Sequence, residues 1–567
     1  MHYKSLYPPL PAFEDQNVHD FIFSAPAQKE QPDDKDLLID PLALKKWTKG
    51  QFRERVYDCT TALVTPAMEG GLGLAPEGEM VAIMSTNCLE YITLVHSLLR
   101  AAIPFALIPA SSTAFELQHL FRTSEATRLF VHPSLLPQAL EVSQQVGIPE
   151  DRIYILEGRV EGRKNLSGSI AEVRKRQVPR VPSRPVTRDT LAYLVFSSGT
   201  SGLPKAVMIS QRNVLASLIQ VAVAGGIEPP NPILEKIQPV SLGFLPIYHT
   251  YGLHYVAIRP VWMVLPTVVM PKWNVDTVLE LIPKYRVSVL SLTPPAMLQL
   301  VNHRRIRETD LSSVVLTGSG AAHLPPKLAR TFHSMLKNAE NVGEGYGMSE
   351  MTISGTRTAP STFGGPKPGS SGILLPGTEA KIVRDDGTLA GPNEPGELWL
   401  RGDNVALGYW RNEKATKETF VDGWVHTGDR FRVDSDQHFF FVERTKDILK
   451  VSGAQVSPTE IENVLLAQPE KLILDVTVAG VSGGRTSDEK VPRAWIVLSD
   501  EGKQRGAEAV VQALHTWIQK NLSKYKWLRG GIEVVEEIPK NPTGKVLRRV
   551  LQDRYEQQQA GKERAKL

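Results

Sequence analysis

The chain is predicted to fold as a multidomain α/β protein, and two observations lead to this prediction. Its 567 residues exceed what one hydrophobic core ordinarily holds, and 42% of them are apolar, as in globular proteins. Helix-like and strand-like segments also alternate along the first part. "FRERVYDCTTAL" and "LEYITLVHSLLRA" have helical periodicity, and the apolar run "EMVAIMS" between them is typical of a buried strand.

The pattern changes after the Gly/Pro/Ser stretch "APSTFGGPKPGSSG". Short strands such as "GELWLRG" and "HFFFVER" follow it, and from about Glu443 a mixed α+β pattern returns. There "SPTEIENVLL" opens on a serine that is able to cap a helix. We therefore expect a large domain over residues 1–442 and a small α+β domain over residues 443–567.

Composition excludes several classes of function. The net charge of +4 is too balanced for nucleic acid to be the main partner. Two cysteines, Cys59 and Cys88, cannot form a disulfide framework or a cysteine zinc site, which favours a reducing compartment. The first residues lack the apolar segment of a secretory signal, and no run of 18 apolar residues occurs, so no transmembrane segment is expected.

The last three residues, Ala565, Lys566 and Leu567, have the small-basic-leucine form of a peroxisomal address. They end the polar segment "QQQAGKERAKL", where an import receptor would reach them. We expect a peroxisomal protein, with the cytoplasm as the alternative.

The stretch "SSGTSGLPKAV", Ser197 to Val207, directly follows the apolar run "LAYLVF". Backbone N–H groups and hydroxyls in such a loop are able to surround an anion, with Lys205 as the counter-charge. A simple hairpin turn is the alternative. The order is not that of a Walker loop, because Lys205 follows proline and a strand-like segment comes next, so the loop is predicted to join two strands.

Further motifs follow this loop in a fixed order: "LPIYHTYGL", "GSGAAHL", "EGYGMSE", "GWVHTGD", "ERTKDILKVSGAQVSPTEIE" and "PKNPTGK". Together they resemble the adenylate-forming superfamily of acyl-CoA synthetases, luciferases and peptide-synthetase adenylation domains, and most of all 4-coumarate–CoA-ligase-like enzymes. The resemblance covers roughly residues 40 to 550. It implies a large domain with a β-barrel-like subdomain and a small mobile domain, with ATP, Mg²⁺ and CoA as cofactors and co-substrate.

The resemblance assigns a nucleotide site. Tyr346 is similar to the residue that stacks on adenine, Asp429 to the carboxylate that holds the ribose hydroxyls, and Arg444 supports Asp429. Thr200 and Lys205 are expected to bind the β- and γ-phosphates. The full set of expected nucleotide-binding residues is Ser197, Ser198, Gly199, Thr200, Lys205, Gly320, Ala321, Ala322, Tyr346, Gly347, Ser349, Asp429 and Arg444.

Adenylation brings a carboxylate against a phosphate, so cations and hydrogen-bond donors must offset the repulsion. Lys545 of "NPTGK" matches the family lysine that bridges the substrate carboxylate and the α-phosphate. Glu350 of "YGMSE" matches the Mg²⁺ ligand, a hard oxygen donor for a hard cation. His249 resembles the histidine at the mouth of the acyl pocket.

The family runs a second half-reaction after its small domain swings about a hinge, and Lys446 stands at that position. The segment "KVSGAQ" then enters the site. Lys450 and Gln455 match family residues of this segment, and Ser452 and Gly453 are expected beside the pantetheine arm of CoA. Ser452 stands where plant members commonly have lysine.

The expected reaction is that of an acyl- or aryl-CoA ligase, in which a small carboxylic acid, aromatic or of medium chain length, becomes an acyl-adenylate and then a thioester. A free-standing adenylation enzyme that loads a separate carrier protein is one alternative. The sequence has about 22 residues beyond Lys545 and includes no carrier domain, which favours CoA. A luciferase-like oxidative second step and a non-catalytic adenylate-binding protein are further alternatives, and the presence of Lys545 and Glu350 disfavours the latter.

Overall fold

The computed structural model of the chain describes residues 1–197, 204–227, 232–444, 449–451, 454–482, 490–522, 524–541 and 544–564. Several predicted residues lie outside the described part: Ser198, Gly199, Thr200, Lys446, Ser452, Gly453 and the tail Ala565–Leu567. The side chains of Lys450 and Gln455 lie outside it as well. The predictions made for these residues stay predictions.

The first of two large sheets contains the strands that flank the predicted phosphate loop. Four successive strands of this sheet, from its middle to one edge, run parallel, as expected for α/β patterning. They are Phe105–Ile108, Val81–Met84, Arg128–Val131 and Ile153–Ile155. From edge to edge the seven strands are Gly408–Tyr409, Lys205–Ser210, Leu191–Ser197, Phe105–Ile108, Val81–Met84, Arg128–Val131 and Ile153–Ile155.

The second large sheet also has seven strands, and all of its neighbouring pairs are parallel except the pair at one edge, Asp36–Asp40 with Lys45–Thr48. Its order is Val342–Glu344, Leu316–Ser319, Val289–Leu292, Ser241–Gly243, Thr267–Val269, Asp36–Asp40 and Lys45–Thr48. The largest hydrophobic core of the described residues includes side chains of both sheets, for example Val195 and Leu290.

The short strands predicted near residue 400 form a third, antiparallel sheet of six strands. They are His2–Lys4, Glu379–Val383, Gly396–Arg401, Phe420–Val421, Trp424–Val433 and Phe439–Arg444. A two-stranded ladder, Thr356–Arg357 with Ile373–Leu374, lies outside this sheet.

The residues after 449 have a core of their own, which includes Val478, Ile496 and Leu514. A ladder of Leu449–Val451 with Ala454–Val456 precedes a three-stranded sheet of Ile473–Val481, Val491–Leu498 and Ile532–Val534. The helices of this part are Pro458–Leu466, Asp500–Arg505, Ala507–Asn521 and Arg548–Arg564. Ser457 caps the first of them by accepting a hydrogen bond from the Glu460 backbone, as predicted.

The remaining α-helices of the described residues are Val18–Ser24, Pro26–Glu30, Lys49–Val64, Leu89–Ala101, Ala114–Ser124, Leu136–Val146, Leu166–Lys175, Gln211–Gly225, Thr250–Gly252, Arg259–Met263, Val275–Tyr285, Pro294–Asn302, Pro326–His333 and Glu413–Thr419. Leu89–Ala101 is buried at every position, including its polar residues Glu90, His96 and Arg100. None of the helices in the described ranges is both long and apolar enough to cross a membrane.

Candidate active site

Ser197 and Lys205 close the hairpin on which the predicted phosphate loop is carried. The strands Leu191–Ser197 and Lys205–Ser210 are antiparallel, with Ser197 opposite Lys205, and the Ser197 hydroxyl donates to the Lys205 carbonyl at 3.4 Å. The helix Gln211–Gly225 begins after the second strand. The prediction that this loop joins two strands, and is not a Walker loop, is therefore confirmed.

Lys205 at the end of this hairpin contacts a tyrosine, and that tyrosine is bonded to a glutamate. The Lys205 Nζ lies 4.7 Å from the centre of the Tyr409 ring, and the Tyr409 hydroxyl donates to Glu350 Oε1 at 2.7 Å. Glu350 is only 6% exposed. Burial, followed by the charge of Glu350, raises the pKa of Tyr409, so Tyr409 is a neutral donor at every working pH. The predicted phosphate and metal residues are thus neighbours through Tyr409.

The surroundings of Glu350 suit a Mg²⁺ ion that is bound together with a nucleotide. They suit a metal bound by protein side chains alone less well. Tyr409 bonds one of its two oxygens, and no cluster of three His, Cys, Asp or Glu side chains occurs within the described ranges. Mg²⁺ is commonly bound by one or two carboxylates together with substrate phosphates and water. One buried carboxylate near a lysine therefore matches that mode of binding.

The predicted adenine and ribose residues form one hydrogen-bonded unit. Strand pairing places Asp429 opposite Arg444, and the Arg444 Nε lies 3.0 Å from Asp429 Oδ1. The Tyr346 hydroxyl donates to Asp429 Oδ2 at 2.7 Å. Burial, and then the charge of Asp429, raises the pKa of Tyr346 well above its usual value. The Tyr346 ring is also fixed by an edge contact with Phe431, with ring centres 4.8 Å apart.

The short turn after Tyr346 requires a glycine. A Cβ atom at Gly347 would lie 1.7 Å from the Ile353 carbonyl oxygen, so the chain passes here only without a side chain. Ser349, which follows, is 8% exposed and opens the turn that carries Glu350. The backbone at Gly347 therefore sets the position of Glu350 relative to Tyr346.

Gly320, Ala321 and Ala322 follow the strand Leu316–Ser319, which is parallel to and paired with the strand Val342–Glu344. The two segments therefore leave the same edge of the sheet, and Gly320–Ala322 lies at the same edge as Tyr346. Ala321 has a left-handed φ of 72°, and both alanines are exposed. A Cβ atom at Gly320 would lie 3.3 Å from the Tyr251 ring, which is a tight contact.

His249 and Lys545 come together although 296 positions separate them in the chain. His249 caps the helix Thr250–Gly252 by accepting a hydrogen bond from the Tyr251 backbone at Nδ1, at 3.3 Å. Burial, followed by the charge of Lys545, lowers the pKa of His249 to about 4. His249 is therefore neutral near pH 7, and the charge of Lys545 reaches it.

The loop that carries Lys545 contacts the large domain directly. The Asn541 N–H donates to the Lys545 carbonyl, the Lys545 N–H donates to the Asn541 side-chain Oδ1, and Gly544 has a φ of 84°. A Cβ atom at Gly544 would lie 2.8 Å from Pro295, at the start of the helix Pro294–Asn302. The glycine before Lys545 thus permits the loop to approach Pro295 of the large domain closely.

Profiles of known families match two parts of the chain. The AMP-binding enzyme family matches residues 25–410, and the AMP-binding enzyme C-terminal domain matches residues 460–545. The chain belongs to the AMP-binding enzyme family. The resemblance to the adenylate-forming superfamily, drawn from the ordered motifs, is thereby confirmed.

Similar proteins span nearly the whole chain. The acyl-CoA ligase AFT1-1 of Alternaria alternata is 30% identical, with 96% of each chain covered. A probable 4-coumarate–CoA ligase 1 of Dictyostelium discoideum is also 30% identical, with 92% of each chain covered. Among solved structures, the anthranilate CoA ligase AuaEII in complex with anthranoyl-AMP is 25% identical, with 99% of each chain covered and a TM-score of 0.80. ATP-bound MatB from Rhodopseudomonas palustris is 25% identical over 95% of this chain and 98% of its own, with a TM-score of 0.79.

Sequence reasoning missed Tyr409 at this AMP-binding enzyme's site. Tyr409 lies on a two-residue strand that pairs with Val207 and Met208, and the sequence "LGYW" has no polar pattern that would indicate a role. Tyr251 was also not singled out, although it belongs to the motif "HTYG" that pointed to His249. The backbone of Lys450 is paired with that of Gln455, so the expected CoA segment is a hairpin where it is described.

Proposed function

We propose that this protein is an ATP-dependent acyl- or aryl-CoA ligase. In the first half-reaction a carboxylate attacks the α-phosphate of ATP and pyrophosphate leaves. In the second the thiol of CoA attacks the acyl carbonyl and AMP leaves. The observation that carries the proposal is the packing of the Lys545 loop against Pro295 of the large domain, together with the hydrogen-bonded unit of Tyr346, Asp429 and Arg444.

The described residues divide the work of the adenylation step. Asp429, held by Arg444 and Tyr346, presents a carboxylate that would accept both ribose hydroxyls. Lys205 and Lys545 supply the two positive charges that offset repulsion between the acid and the phosphates. A Mg²⁺ ion, when bound by Glu350 and the phosphates, neutralises further charge on the phosphate oxygens.

His249 is suited to bind the carboxylate of the substrate as an uncharged hydrogen-bond donor. Its lowered pKa keeps it uncharged at pH 7, and its Nδ1 already accepts a hydrogen bond from the Tyr251 backbone. The remaining Nε2–H is therefore a donor that would orient the substrate carboxylate without adding a charge.

The second half-reaction is proposed from the relatives of the chain, because Lys446, Ser452 and Gly453 lie outside the described residues. The support comes from relatives. Proteins named as CoA ligases match this chain over 92% to 96% of its length, and they extend through the segment "KVSGAQ". We propose that Lys446 is the hinge and that Lys450 and Gln455 enter the site after adenylation.

Loading of a separate carrier protein is the second candidate, since adenylation is the same in both reactions. A non-catalytic adenylate-binding protein is disfavoured, because it would have no use for a lysine held beside His249 and a buried carboxylate beside Lys205. We further propose a peroxisomal location, which depends on the Ala565–Leu567 tripeptide alone.

One experiment tests the proposal. The protein is incubated with ATP, Mg²⁺ and a panel of aromatic and medium-chain carboxylic acids, with CoA, with a phosphopantetheinylated carrier protein, or with neither. AMP release with a thioester of CoA is expected for at least one acid. A thioester only on the carrier would replace the proposal with the second candidate, and binding of ATP without turnover of any acid would contradict both.

A further inference from the structure

One helical stretch leads from the proposed reaction centre into the large domain. After His249 come the helix Thr250–Gly252, a π-helical turn Leu253–Ile258 and the helix Arg259–Met263. All of residues 250–261 are described, and Tyr251 and Tyr255 alone among them keep part of the side chain exposed. Their rings meet edge-on with centres 4.9 Å apart. The two rings form a half-open aromatic face.

Space lies beside this face, against the second large sheet. The Tyr251 hydroxyl donates to the Leu292 carbonyl at 3.3 Å, and Gly318 pairs with Ser291 on the neighbouring strand. A Cβ atom at Gly318 would have only the Gly343 carbonyl oxygen within 4 Å, at 3.7 Å. If the protein is the acyl-CoA ligase proposed above, this space is where the body of the acid extends from His249.

Arg259 follows Tyr255 by four residues on the same face of the helical stretch. Its guanidinium carbon lies 4.6 Å from the centre of the Tyr255 ring. The residue is 9% exposed, and its Nε is buried without a hydrogen-bond partner. Among the described residues no carboxylate forms an ion pair with Arg259 and no carbonyl accepts from its guanidinium.

A buried guanidinium without a partner is unusual, because removing a charge from water is costly unless it is paired. Arg100 offers a contrast within the same chain. It is equally buried at 9% exposure and its Nε also lacks a hydrogen-bond partner, but its Nη1 donates to the Val181 carbonyl at 2.6 Å. The nearby His254 gives no counter-charge, since burial and the charge of Arg259 lower its pKa well below the usual value. The Arg259 guanidinium therefore has N–H groups available for a ligand at the inner end of the aromatic face.

We infer that Arg259 binds a second carboxylate, at the far end of the substrate, and that the substrate class is the medium-chain dicarboxylic acids. A guanidinium pairs with a carboxylate through two parallel hydrogen bonds, which is its best-matched anion. Ten residues separate His249 from Arg259, which sets an upper limit of about 15 Å on the rise between them because the π-helical turn is shorter than an α-helix, so the acid must be long enough to reach. The inference rests on the proposed function, because it assigns the space beside Tyr251 to the acid.

The test compares acids of equal length on the full-length enzyme. A homologous series of α,ω-dicarboxylic acids is measured against the monocarboxylic and ω-hydroxy acids of the same chain length. For the best-fitting length, we expect kcat/KM for the dicarboxylic acid to exceed that for the monocarboxylic acid by about ten- to a hundredfold, the usual range for a hydrogen bond to a charged group. No preference for the dicarboxylic acid at any length would overturn the inference.

Three variants make the test specific. Arg259→Met keeps the length and volume of the side chain and should abolish the preference while leaving monocarboxylic acids within a few-fold. Arg259→Lys keeps the positive charge but loses the two parallel N–H donors of the guanidinium, and it should retain part of the preference for the dicarboxylic acid. Arg188→Met, at an exposed arginine, is the matched control and should behave as the wild type. An unchanged preference in Arg259→Met would refute the role.

Binding without catalysis separates this inference from the proposed function. A dicarboxylic acid should raise the Tm of the wild type more than the length-matched monocarboxylic acid does, and should do so in Arg188→Met but not in Arg259→Met. If monocarboxylic acids are turned over and neither preference appears, the dicarboxylate site is wrong and the ligase stands. If no acid is turned over but the Arg259-dependent Tm shift is present, the site stands and the ligase proposal fails.

Discussion

Replacing Lys545 by alanine should disable one half-reaction and spare the other. The structure puts the charge of Lys545 close enough to His249 to lower its pKa, and it does so in a half-buried site where water screens charge poorly. Removing such a preorganised electrostatic contact typically costs about 10²–10³ in rate, or about 2.7–4 kcal/mol in the barrier. We expect that loss in adenylation, because only this step brings a carboxylate against a phosphate.

The two half-reactions can be assayed apart. Acid-dependent exchange of pyrophosphate into ATP reports adenylation, and single turnover of supplied acyl-adenylate with CoA reports thioester formation. Lys540→Ala is the matched control, because Lys540 lies five residues earlier and is ion-paired with Asp475. It should change the exchange rate by no more than a few-fold. Equal losses in both half-reactions for Lys545→Ala, or an equal loss in the control, would refute the reasoning.

Four further predictions follow from particular contacts. Tyr409→Phe removes the hydrogen bond to the buried Glu350 and should lower kcat/KM for Mg-ATP by about tenfold or more; an unchanged Mg²⁺ dependence would contradict this. Lys446→Pro, at the proposed hinge, should spare pyrophosphate exchange and slow thioester formation, because proline fixes φ, and thioester formation at the wild-type rate would rule the hinge out. Burial lowers the pKa of His96 from 6.5 to about 4, so as the pH falls the unfolded chain takes up a proton at this histidine before the folded chain does. Chemical denaturation should therefore show that the free energy of unfolding decreases by on the order of 3 kcal/mol between pH 6.5 and 4. The loss should be smaller in His96→Gln, and an identical pH profile for that variant would count against the assignment. Deleting Ala565–Leu567 should move a tagged protein from peroxisomes to the cytosol with activity unchanged, and an unmoved protein would show that the tripeptide is not an address.

Local elements were the part of the fold that the sequence predicted well. The helix over "LEYITLVHSLLRA" is Leu89–Ala101, and the loop after "LAYLVF" joins two strands as expected. Such features depend on neighbours in the chain: periodicity, turn residues and the capping serine Ser457. The partnership of Asp429 with Arg444 was also expected, and strand register puts them opposite each other.

Contacts between distant segments were not predictable in the same way. Tyr409 bonds Glu350 because a two-residue strand pairs at the edge of the first sheet, and a pattern of two residues has no detectable periodicity. Arg259 was not noticed, since one arginine in an apolar helical stretch does not stand out until its burial, and the lack of a hydrogen-bond partner for its Nε within the described part of the chain, are known. Both depend on which elements pack together, and packing is decided by the whole chain.

The amino-acid sequence by itself determined the α/β class, the order of the motifs and the chemical groups available for adenylation, because these are written in residue type and spacing. Only the tertiary structure decided which of those groups act together. It brings the charge of Lys545 to bear on His249 across 296 positions, joins Lys205 to Glu350 through Tyr409, and leaves the buried Arg259 without a hydrogen-bond or ion-pair partner among the described residues. The physical reason is that charge and hydrogen bonding act over a few ångströms of space, and the chain brings distant residues within that range only when its sheets and its small domain have packed.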